Sequence, residues 1–428
     1  MKMGYKHGTE QTEIKGSIMR WHRRLGILLC TGFGLVAGLV VADEPITLHQ
    51  HGDGALEVSE SLRHEAQAAM ERGMAWIKAR QHADGHWSNP GHPALTAFPV
   101  WALIEGGEGD SEAVDRGIRV LRRHAQDDGG IYVRREKPGD VGGLSNYNTA
   151  ICMVALHLSG RPEVMPLVLR ARRFVAQSQH LGGDIYHGGM GYDAASGRAY
   201  ADLSNSYIAY EAMRMTESVE DHRPPGEERV DLDWAAAQAF IQRTHNDPEF
   251  NPRPWATDDP RERGGFAYRP DQTRAGTFTD EEGVVRFRSM PGMTYAGLLS
   301  YIYADVDRTD PRVEATITWV VRNWSLDANN PPSGGQEHHD TQDEREGLFY
   351  LYNVMAKGLA AYGQNVFHPP ARPPFNWRVH LIERLLSLQR IDPDTGHGYW
   401  VNDVGRYWEA DPVLVTSYAL VALQIAMP

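Results

Sequence analysis

Two short stretches place carboxylates beside amide or aromatic side chains, directly before apolar segments. In the first, Asp202 is followed by Asn205; in the second, Glu409 follows Trp408 and precedes Asp411. A carboxyl group against aromatic walls has a raised pKa and can donate a proton. Helix capping is an equal alternative for Asp202 and the favoured role for Asp411, which precedes a proline. Since the sequence gives Glu409 no structural role, we predict Asp202 and Glu409 as the acid residues.

Aromatic side chains are frequent in the same apolar segments. Most of them are expected to pack in the core, because helical spacing distributes them around the helix axis. Those that face a cavity would suit an isoprenoid, whose cationic intermediates are stabilised by π faces, and equally a sugar that stacks on aromatic rings. His187, in a glycine-rich loop, is equally a surface residue or a proton carrier. We predict substrate contacts from Asn205, His187, Tyr207, Tyr295, Tyr350 and Trp408.

The histidines and cysteines do not form a metal-binding pattern. His338 and His339 are adjacent, and adjacent side chains diverge in an extended loop, so a solvated loop is predicted there. Cys152 lies in an apolar segment and is expected to be a small core residue. Cys30 lies in the N-terminal apolar run, which leaves the mature chain without a partner for an internal disulfide. We predict no metal and no cofactor.

Composition excludes one class of partner. The chain of 428 residues has a net charge of -13, and 41% of its residues are hydrophobic. This is enough apolar material for one large domain or two ordinary ones. Nucleic-acid binding requires clustered Lys and Arg, and no cluster occurs beyond the N-terminus. A nucleic-acid partner is therefore not expected.

The N-terminus has the pattern of an export signal. Basic residues at 20, 23 and 24 precede the apolar run 25–41, and Ala42 offers a small residue before a cleavage site. We predict that residues 1–42 are a signal peptide and that residues 43–428 form a single domain. An uncleaved anchor is the alternative, because the apolar run is at the short limit for spanning a bilayer. A lipoprotein signal is excluded, because no lipobox precedes Cys30.

A motif between residues 72 and 87 organises the mature chain. Arg72, Trp76, Gln81, Gly85 and Trp87 fall in the spacing R-G-x2-W-I-x3-Q-x3-G-x-W. The spacing predicts a helix end, with Trp76 on the buried face and Gln81 bonded to the last helix carbonyls. Gly85 then permits a tight turn, and Trp87 packs over the junction with the next helix.

Weaker copies of this motif follow, with Gln126 and Gly130, with Gln179 and Gly183, and with Gln389 and Trp400. They divide the chain into about six units of helix, loop and helix. In the first unit the second helix is apolar on all sides, whereas the first helix has a polar face, and this contrast predicts an inner ring of helices surrounded by an outer one. A connection of about 50 residues in the fourth unit contains GGFAY at 264–268 and is long enough to carry function or act as a lid. The predicted inner helices are 94–105, 148–158, 204–215, 294–303, 347–362 and 412–427.

The motif resembles the QW repeat of squalene-hopene cyclases and of the wider terpene cyclase and protein prenyltransferase superfamily. Segments 293–304, 310–327 and 408–424 resemble exported bacterial proteins with prenyltransferase and squalene oxidase repeats. The resemblance covers nearly all of the mature chain. It implies an all-α fold, an α6/α6 toroid of six helical hairpins in preference to an open solenoid, with a central cavity and cyclase-like chemistry on an isoprenoid.

The chain departs from the active-site motifs of these families. The D-x-D-D acid motif of the cyclases is absent, and the nearest strings lack the fourth acid, so we predict helix-end or turn carboxylates at Asp231, Asp233, Asp305, Asp307, Asp392 and Asp394. The zinc-binding Asp-x-Cys pair of the prenyltransferases is also absent, because Ala150 stands two residues before Cys152.

Three classes of function therefore stay open. The first is a cyclase-like protein that acts on or binds an isoprenoid, with peripheral membrane contact. The second is a lyase or hydrolase acting on a glycan, as in other α/α toroids. The third is a non-catalytic exported module that binds a ligand or a protein. The resemblance favours the first class, whereas export fits a glycan or a binding role better.

Overall fold

The computed structural model describes residues 56–137, 143–194, 199–329, 343–370 and 372–427. The expected signal peptide and the pair His338 and His339 lie outside these residues. The regular secondary structure of the described residues is mostly helical, with a few short strands, which confirms the all-α prediction. None of its helices has the length and apolar character needed to cross a bilayer.

Twelve α-helices alternate along the described chain between a more exposed and a more buried set. The first set, called the outer helices, comprises α1 (Glu60–Ala79), α3 (Glu112–Arg123), α5 (Met165–Gln177), α7 (Trp234–Thr244), α9 (Pro311–Arg322) and α11 (Trp377–Leu388). The second set, called the inner helices, comprises α2 (Ala94–Leu103), α4 (Ser145–Leu158), α6 (Leu203–Met215), α8 (Pro291–Tyr303), α10 (Leu348–Tyr362) and α12 (Pro412–Ala426). The predicted inner helices are confirmed within a few residues at each end.

The two sets differ in burial as their sequences predict. Every residue of α12 from Val413 to Ala426 is buried, and all ten residues of α2 are buried. In α3 the buried residues form one face, and charged residues occupy the other. A helix without a polar face must be covered on all sides, so the inner helices form the core and the outer helices cover it.

The inner helices contact one another in a cyclic order. In sequence order, α2 packs against α4, α4 against α6, α6 against α8, α8 against α10 and α10 against α12. The last inner helix, α12, packs in turn against α2. Each inner helix therefore has an inner neighbour on both sides, and the first and last units lie side by side.

The motif tryptophans connect the two sets. The Trp87 side chain is completely buried, and its indole Nε1 donates to the Ile77 carbonyl of α1 at 2.8 Å. Its backbone N–H donates to Thr96 of α2 at 3.2 Å. Trp400 repeats this arrangement in the sixth unit, with Thr416 as its side-chain acceptor at 2.9 Å. The predicted position of Trp87 at the junction of an outer and an inner helix is confirmed.

Gln81 has a different partner from the one predicted. Its amide donates to the Ala113 carbonyl of α3 at 2.8 Å, and its carbonyl accepts from Arg116 at 2.5 Å. The prediction that it bonds the last carbonyls of its own helix is wrong, because Gln81 lies one residue beyond the C-cap Arg80 and its side chain reaches the next outer helix. Gln389 makes the corresponding bond to Arg72 of α1 at 2.7 Å, which links the sixth unit to the first.

In two of the weaker motif copies, the glycine that corresponds to Gly85 is not the one predicted from the sequence. Gly85 has a φ of 98° and lies against the backbone of α3, where a Cβ atom would be 2.8 Å from the Arg116 carbonyl oxygen. Gly129 and Gly188 have the same conformation, with φ values of 93° and 94°, and lie against the next outer helices. They take the place that the sequence assigned to Gly130 and Gly183. The distance from the motif glutamine varies, which obscures this equivalence in the sequence: Gly85 follows Gln81 by four residues, Gly129 follows Gln126 by three and Gly188 follows Gln179 by nine.

The long connection of the fourth unit contains the fourth copy of the contact that Trp87 makes between an outer and an inner helix. Phe266, from the GGFAY segment, donates its backbone N–H to Thr294 of α8 at 3.2 Å, as Trp87 does to Thr96. The remainder forms a small core in which the rings of Trp255 and Phe287 stack at 4.6 Å. The strands pair as three antiparallel two-stranded sheets, β1 (Thr277–Thr279) with β2 (Val285–Phe287), β3 (Val366–Phe367) with β4 (Phe375–Asn376), and β5 (Arg390–Ile391) with β6 (Gly398–Tyr399).

Candidate functional site

The first turns of several inner helices meet at one end of the ring, which we call the mouth. Asp202 stands immediately before α6, Tyr350 lies in the first turn of α10, and Tyr147 lies in the first turn of α4. Both predicted acids, Asp202 and Glu409, are found here. The ring order of the helices therefore brings together residues that are far apart in the sequence.

Asp202 is both a helix cap and a buried acid. Its side chain is fully buried, and it accepts hydrogen bonds from the backbone N–H and the side-chain amide of Asn205, both at 2.8 Å. Burial raises the pKa of Asp202, and hydrogen bonds from Asn205, Tyr200 and Tyr268 offset part of this rise. The two roles weighed for Asp202 thus occur in the same carboxyl group.

A shell of tyrosines surrounds the Asp202 carboxyl. The hydroxyl oxygens of Tyr200 and Tyr268 lie 3.1 Å apart, and the Tyr192 ring stacks on Tyr200 with centroids 6.4 Å apart. The guanidinium of Arg274 lies 4.2 Å from the centre of the Tyr268 ring. Tyr268 and Arg274 belong to the long connection of the fourth unit, so this connection covers Asp202.

Glu409 has a structural role that the sequence did not reveal. It is fully buried, and its carboxylate accepts from the backbone N–H of Tyr350 at 2.7 Å and of Phe349 at 3.3 Å. The side-chain amide of Asn402 donates to it at 2.6 Å. Since the N-cap of α10 is Gly347, which has no side chain to accept these bonds, Glu409 caps that helix from a distant part of the chain.

The same surroundings make Glu409 a titratable group near neutral pH. Burial is the largest influence and raises the pKa of Glu409 to about 7, against the lowering effect of its hydrogen bonds. The raised pKa agrees with the expectation for Glu409, but its largest cause is burial beneath α10.

Tyr407 and Trp408 extend over the mouth. Both have left-handed backbone conformations, with φ values of 59° and 66°, and their side chains are 40% and 41% exposed. The Trp408 ring lies 4.6 Å from that of His92, and the Tyr407 hydroxyl accepts from Arg274 at 3.1 Å. Consecutive left-handed residues with large side chains are strained. The strain is maintained by contacts with the first and fourth units.

Tyr350 connects the two acids. Its backbone N–H donates to Glu409. Burial is the main cause of the raised pKa of the Tyr350 hydroxyl, and the charge of Asp202 adds to it. The Tyr207 ring packs against Tyr350 edge to face, at 6.3 Å between centroids. Tyr147 and Tyr350 keep part of their surface accessible, whereas Tyr207 is buried beneath them. The mouth is therefore open to solvent as far as the first turns of α4 and α10.

Two predicted contact residues lie apart from this group. His187 is in the loop between α5 and α6, where its backbone carbonyl accepts from Arg243 of α7 at 3.0 Å. Tyr295 is buried in α8, and burial is the cause of its raised pKa. No contact between either residue and the two acids is present among the described residues. The remaining predicted contacts, Asn205, Tyr207, Tyr350 and Trp408, all belong to the mouth.

The acidic strings that resemble fragments of a cyclase motif occupy helix ends and turns, as predicted. Asp233 caps α7 through the Ala236 N–H at 2.9 Å. Asp307 and Asp392 accept backbone N–H groups two residues ahead of them, at 2.8 Å and 3.0 Å. Asp411 caps α12 as predicted. Cys152 is buried in the core, where burial raises the pKa of its thiol.

Sequence reasoning missed the tyrosine shell and Arg274. Tyr200 stands only two residues before Asp202, and this proximity is a signal that sequence reasoning could have used. Tyr268 ends the GGFAY segment, and nothing in the sequence connects this segment to α6. The connection is a backbone hydrogen bond in which the Leu203 N–H donates to the Tyr268 carbonyl at 3.0 Å.

Comparisons with known proteins yield structures with low similarity. No protein-family model and no curated protein sequence matches the chain. A crystal structure of a protein from Actinoplanes is 16% identical, with a TM-score of 0.45, over 84% of this chain and 99% of that chain. A ligand-free variant of the type II terpene cyclase MstE from Scytonema is 12% identical, with a TM-score of 0.44, over 86% of this chain and 98% of that chain.

A further variant of the Scytonema cyclase, in complex with geranylgeranyl dihydroxybenzoate, is 11% identical. The similarity covers 86% of this chain and 97% of that chain, with a TM-score of 0.26. Similarities at these identities and scores carry no argument about activity. The function is therefore argued from the mouth itself.

Proposed function

We propose that the protein is an α6/α6 toroid that binds an isoprenoid-type ligand at its mouth, with Asp202 as the acid group. The observation that carries this proposal is the environment of the Asp202 carboxyl. It is fully buried, and its hydrogen-bond donors are the neutral groups of Asn205, Tyr200 and Tyr268. Asp202 forms no ion pair with a Lys or Arg among the described residues, and burial without such a pair favours the protonated carboxyl, which can give its proton to a neutral ligand.

The toroid proposal is supported by the closure of both sets of helices. The inner helices contact one another in a cycle that returns from α12 to α2. In the outer set, Gln389 at the end of α11 bonds to Arg72 of α1. An open solenoid would leave the first and last units apart, with terminal faces that need polar covering.

The hydrogen bonds around Asp202 suit a proton donor that must become charged. When the proton passes to a carbon–carbon double bond of the ligand, the new C–H bond forms and Asp202 is left as a carboxylate. The backbone and side-chain N–H groups of Asn205 are already directed at that carboxylate. Donors that are in place before charge develops stabilise it without reorganisation.

The aromatic surroundings favour an isoprenoid as the ligand. Protonation of an alkene leaves a carbocation, and the faces of tyrosine rings attract a cation by about 0.5–2 kcal/mol each. Tyr192, Tyr200, Tyr268 and Tyr350 all lie close enough to Asp202 to be affected by its charge. A proton lost from the cation can return to the Asp202 carboxylate, so that the acid is regenerated.

A glycan is the second candidate, and the exposed rings of Tyr407 and Trp408 favour it. They project from the mouth with about two fifths of their surface accessible. Exposed aromatic rings beside hydroxyl, carboxyl and guanidinium groups suit the alternating apolar and polar faces of a sugar. In this case Glu409 and Asp202 would be the acid and base of a lyase or hydrolase.

Export remains a proposal based on the leader sequence. If residues 1–42 are removed, the ring functions outside the cytoplasm, where membrane lipids and glycans are both accessible, and peripheral contact with a membrane would deliver an isoprenoid. Intact-mass measurement of protein from its native host should give a chain that begins at Asp43. An unprocessed cytoplasmic species would contradict this proposal.

The functional test uses mature protein incubated separately with squalene-type lipids and with oligosaccharides, followed by mass spectrometry of retained ligand and of product. Asp202→Asn is the informative variant, because asparagine caps a helix about as well as aspartate but has no acidic proton. Asp233→Asn is the matched control, since Asp233 caps α7 outside the mouth.

We expect wild type and Asp233→Asn to retain or convert the lipid, and Asp202→Asn to retain it without conversion. Conversion of oligosaccharides alone would favour the second candidate. If neither class is retained or converted by wild type, the proposal is wrong and a protein-binding module becomes the better interpretation.

A further inference from the structure

A cluster of charged and aromatic residues lies inside the ring, in the later turns of the inner helices. Lys357 donates to Glu211 at 3.0 Å, and the Tyr303 hydroxyl donates to the same carboxylate at 3.1 Å. The Lys357 ammonium also lies 4.2 Å from the centre of a Trp101 ring. All four side chains are buried, with at most 7% of any residue exposed. We call these four residues the floor cluster.

The floor cluster crosses the interior of the ring. Lys357 of α10 contacts Glu211 of α6 and Trp101 of α2. Neither α6 nor α2 is a neighbour of α10 in the cyclic order, so both contacts reach across the interior. Glu211 is nine residues after Asp202, which corresponds to about 13 Å along a helix. The cluster therefore closes the interior at the end away from the mouth.

One polar atom of the floor cluster has no partner. The indole Nε1 of Trp101 is buried and makes no hydrogen bond within the described part of the chain. Trp101 itself is 2% exposed. A buried donor left unpaired costs about 1–3 kcal/mol, so a ligand oxygen that accepts this bond would recover that free energy.

We propose that the floor cluster is a subsite for the oxygen-bearing end of a prenyl alcohol whose hydrocarbon chain extends toward Asp202. The inference rests on the proposed isoprenoid function. The Trp101 indole N–H donates to the alcohol oxygen, and the ion pair between Lys357 and Glu211 forms a neutral, closed base beneath it. Asp202 then meets a double bond of the chain, while the alcohol is held at the floor.

The subsite is tested with farnesol and with farnesene, which lacks the hydroxyl. Retention of each by wild type and by Trp101→Phe is measured by mass spectrometry after gel filtration. We expect wild type to prefer farnesol by about tenfold, corresponding to one hydrogen bond of about 1.4 kcal/mol. Trp101→Phe keeps an aromatic ring but has no N–H, so the preference should disappear while farnesene retention is unchanged. An equal preference in both proteins, or none in wild type, would overturn the subsite.

A measurement that does not require an isoprenoid separates the subsite from the proposed function. In protein labelled with 5-fluorotryptophan, the fluorine resonance of Trp101 is identified by its loss in Trp101→Phe. It should lack a solvent isotope shift, because the floor is closed, and it should move when hexanol is added as a small hydroxyl probe. A full solvent shift, or no response to hexanol, would disprove the subsite even if farnesene binds at the mouth. A response to hexanol without any farnesol retention would contradict the isoprenoid function alone.

Discussion

Buried carboxylates have different kinds of partner at the mouth and at the floor of the ring. At the floor, Glu211 is paired with the Lys357 ammonium. At the mouth, the hydrogen-bond donors of Asp202 and Glu409 are backbone N–H groups, amides and tyrosine hydroxyls. A carboxylate paired with a cation keeps its charge, whereas one with neutral donors retains a proton more readily when it is buried. Charge is therefore neutralised at the closed end, and proton exchange is favoured at the open end.

The two ends also differ in accessibility. All four floor residues are buried, whereas Tyr407 and Trp408 at the mouth expose 40% and 41% of their surface in strained backbone conformations. Strain and exposed aromatic surface are both unfavourable for folding alone, and both are common where ligands bind. The difference indicates that a ligand enters at the mouth, whereas the floor is closed to solvent.

Two tryptophans at the mouth test whether structural and binding roles are separate there. Trp87→Ala should lower the free energy of unfolding by roughly 3–5 kcal/mol, because a fully buried ring and the hydrogen bond of its indole N–H are lost. Trp408→Ala, at a largely exposed site, should change it by less than about 0.5 kcal/mol and should weaken ligand retention. Urea denaturation measures both variants. An unchanged midpoint for Trp87→Ala would refute its role at the helix junction.

At the floor, Lys357→Met should be strongly destabilising. It leaves Glu211 buried without its cation, for which a loss of about 3–5 kcal/mol is typical. The double variant Glu211→Gln with Lys357→Met should recover most of the loss, because neither charge is then buried. The comparison of mouth and floor would fail if the single variant were as stable as wild type.

At the mouth, the pKa of Glu409 predicts a pH-dependent stability. The folded-state pKa is raised to about 7, above that of an unfolded glutamate, so the folded protein binds the proton more tightly. Stability is then greatest below the unfolded pKa and falls as the pH rises through about 7, by no more than about 3 kcal/mol. The raised pKa of Asp202 acts in the same direction.

The check is a urea titration of wild type and Glu409→Gln at about pH 5 and about pH 8, on either side of the transition. The decrease from the lower to the higher pH should be smaller in Glu409→Gln, which cannot ionise. An identical decrease in the two proteins would mean that Glu409 does not titrate in this range.

The sequence allowed much of the fold to be predicted. Inner helices such as α2 and α12 are apolar on every side, which predicts their burial without any knowledge of their neighbours. The spacing of the junction motif predicted the place of Trp87. The partner of Gln81 could not be predicted, because the bond depends on where the next outer helix begins to pack.

The candidate site was predictable only in part. Asp202 and Glu409 were found because they precede apolar helices, but the cap that Glu409 provides for α10 depends on the ring bringing the fifth and sixth units together. Lys357 and Glu211 had a usable signal that was not recognised. A charged residue within a helix that is otherwise apolar on all sides must find a partner inside the protein.

The most direct test of the mouth as the binding site is a crystal structure of Asp202→Asn soaked with squalene. This variant lacks the acid, so the ligand should remain intact. We expect ligand density between position 202, Tyr350 and Trp408, with the floor cluster still closed beneath it. Ligand density only on the outer helices, or no density at a concentration at which the variant retains squalene in solution, would contradict the assignment of the mouth as the functional site.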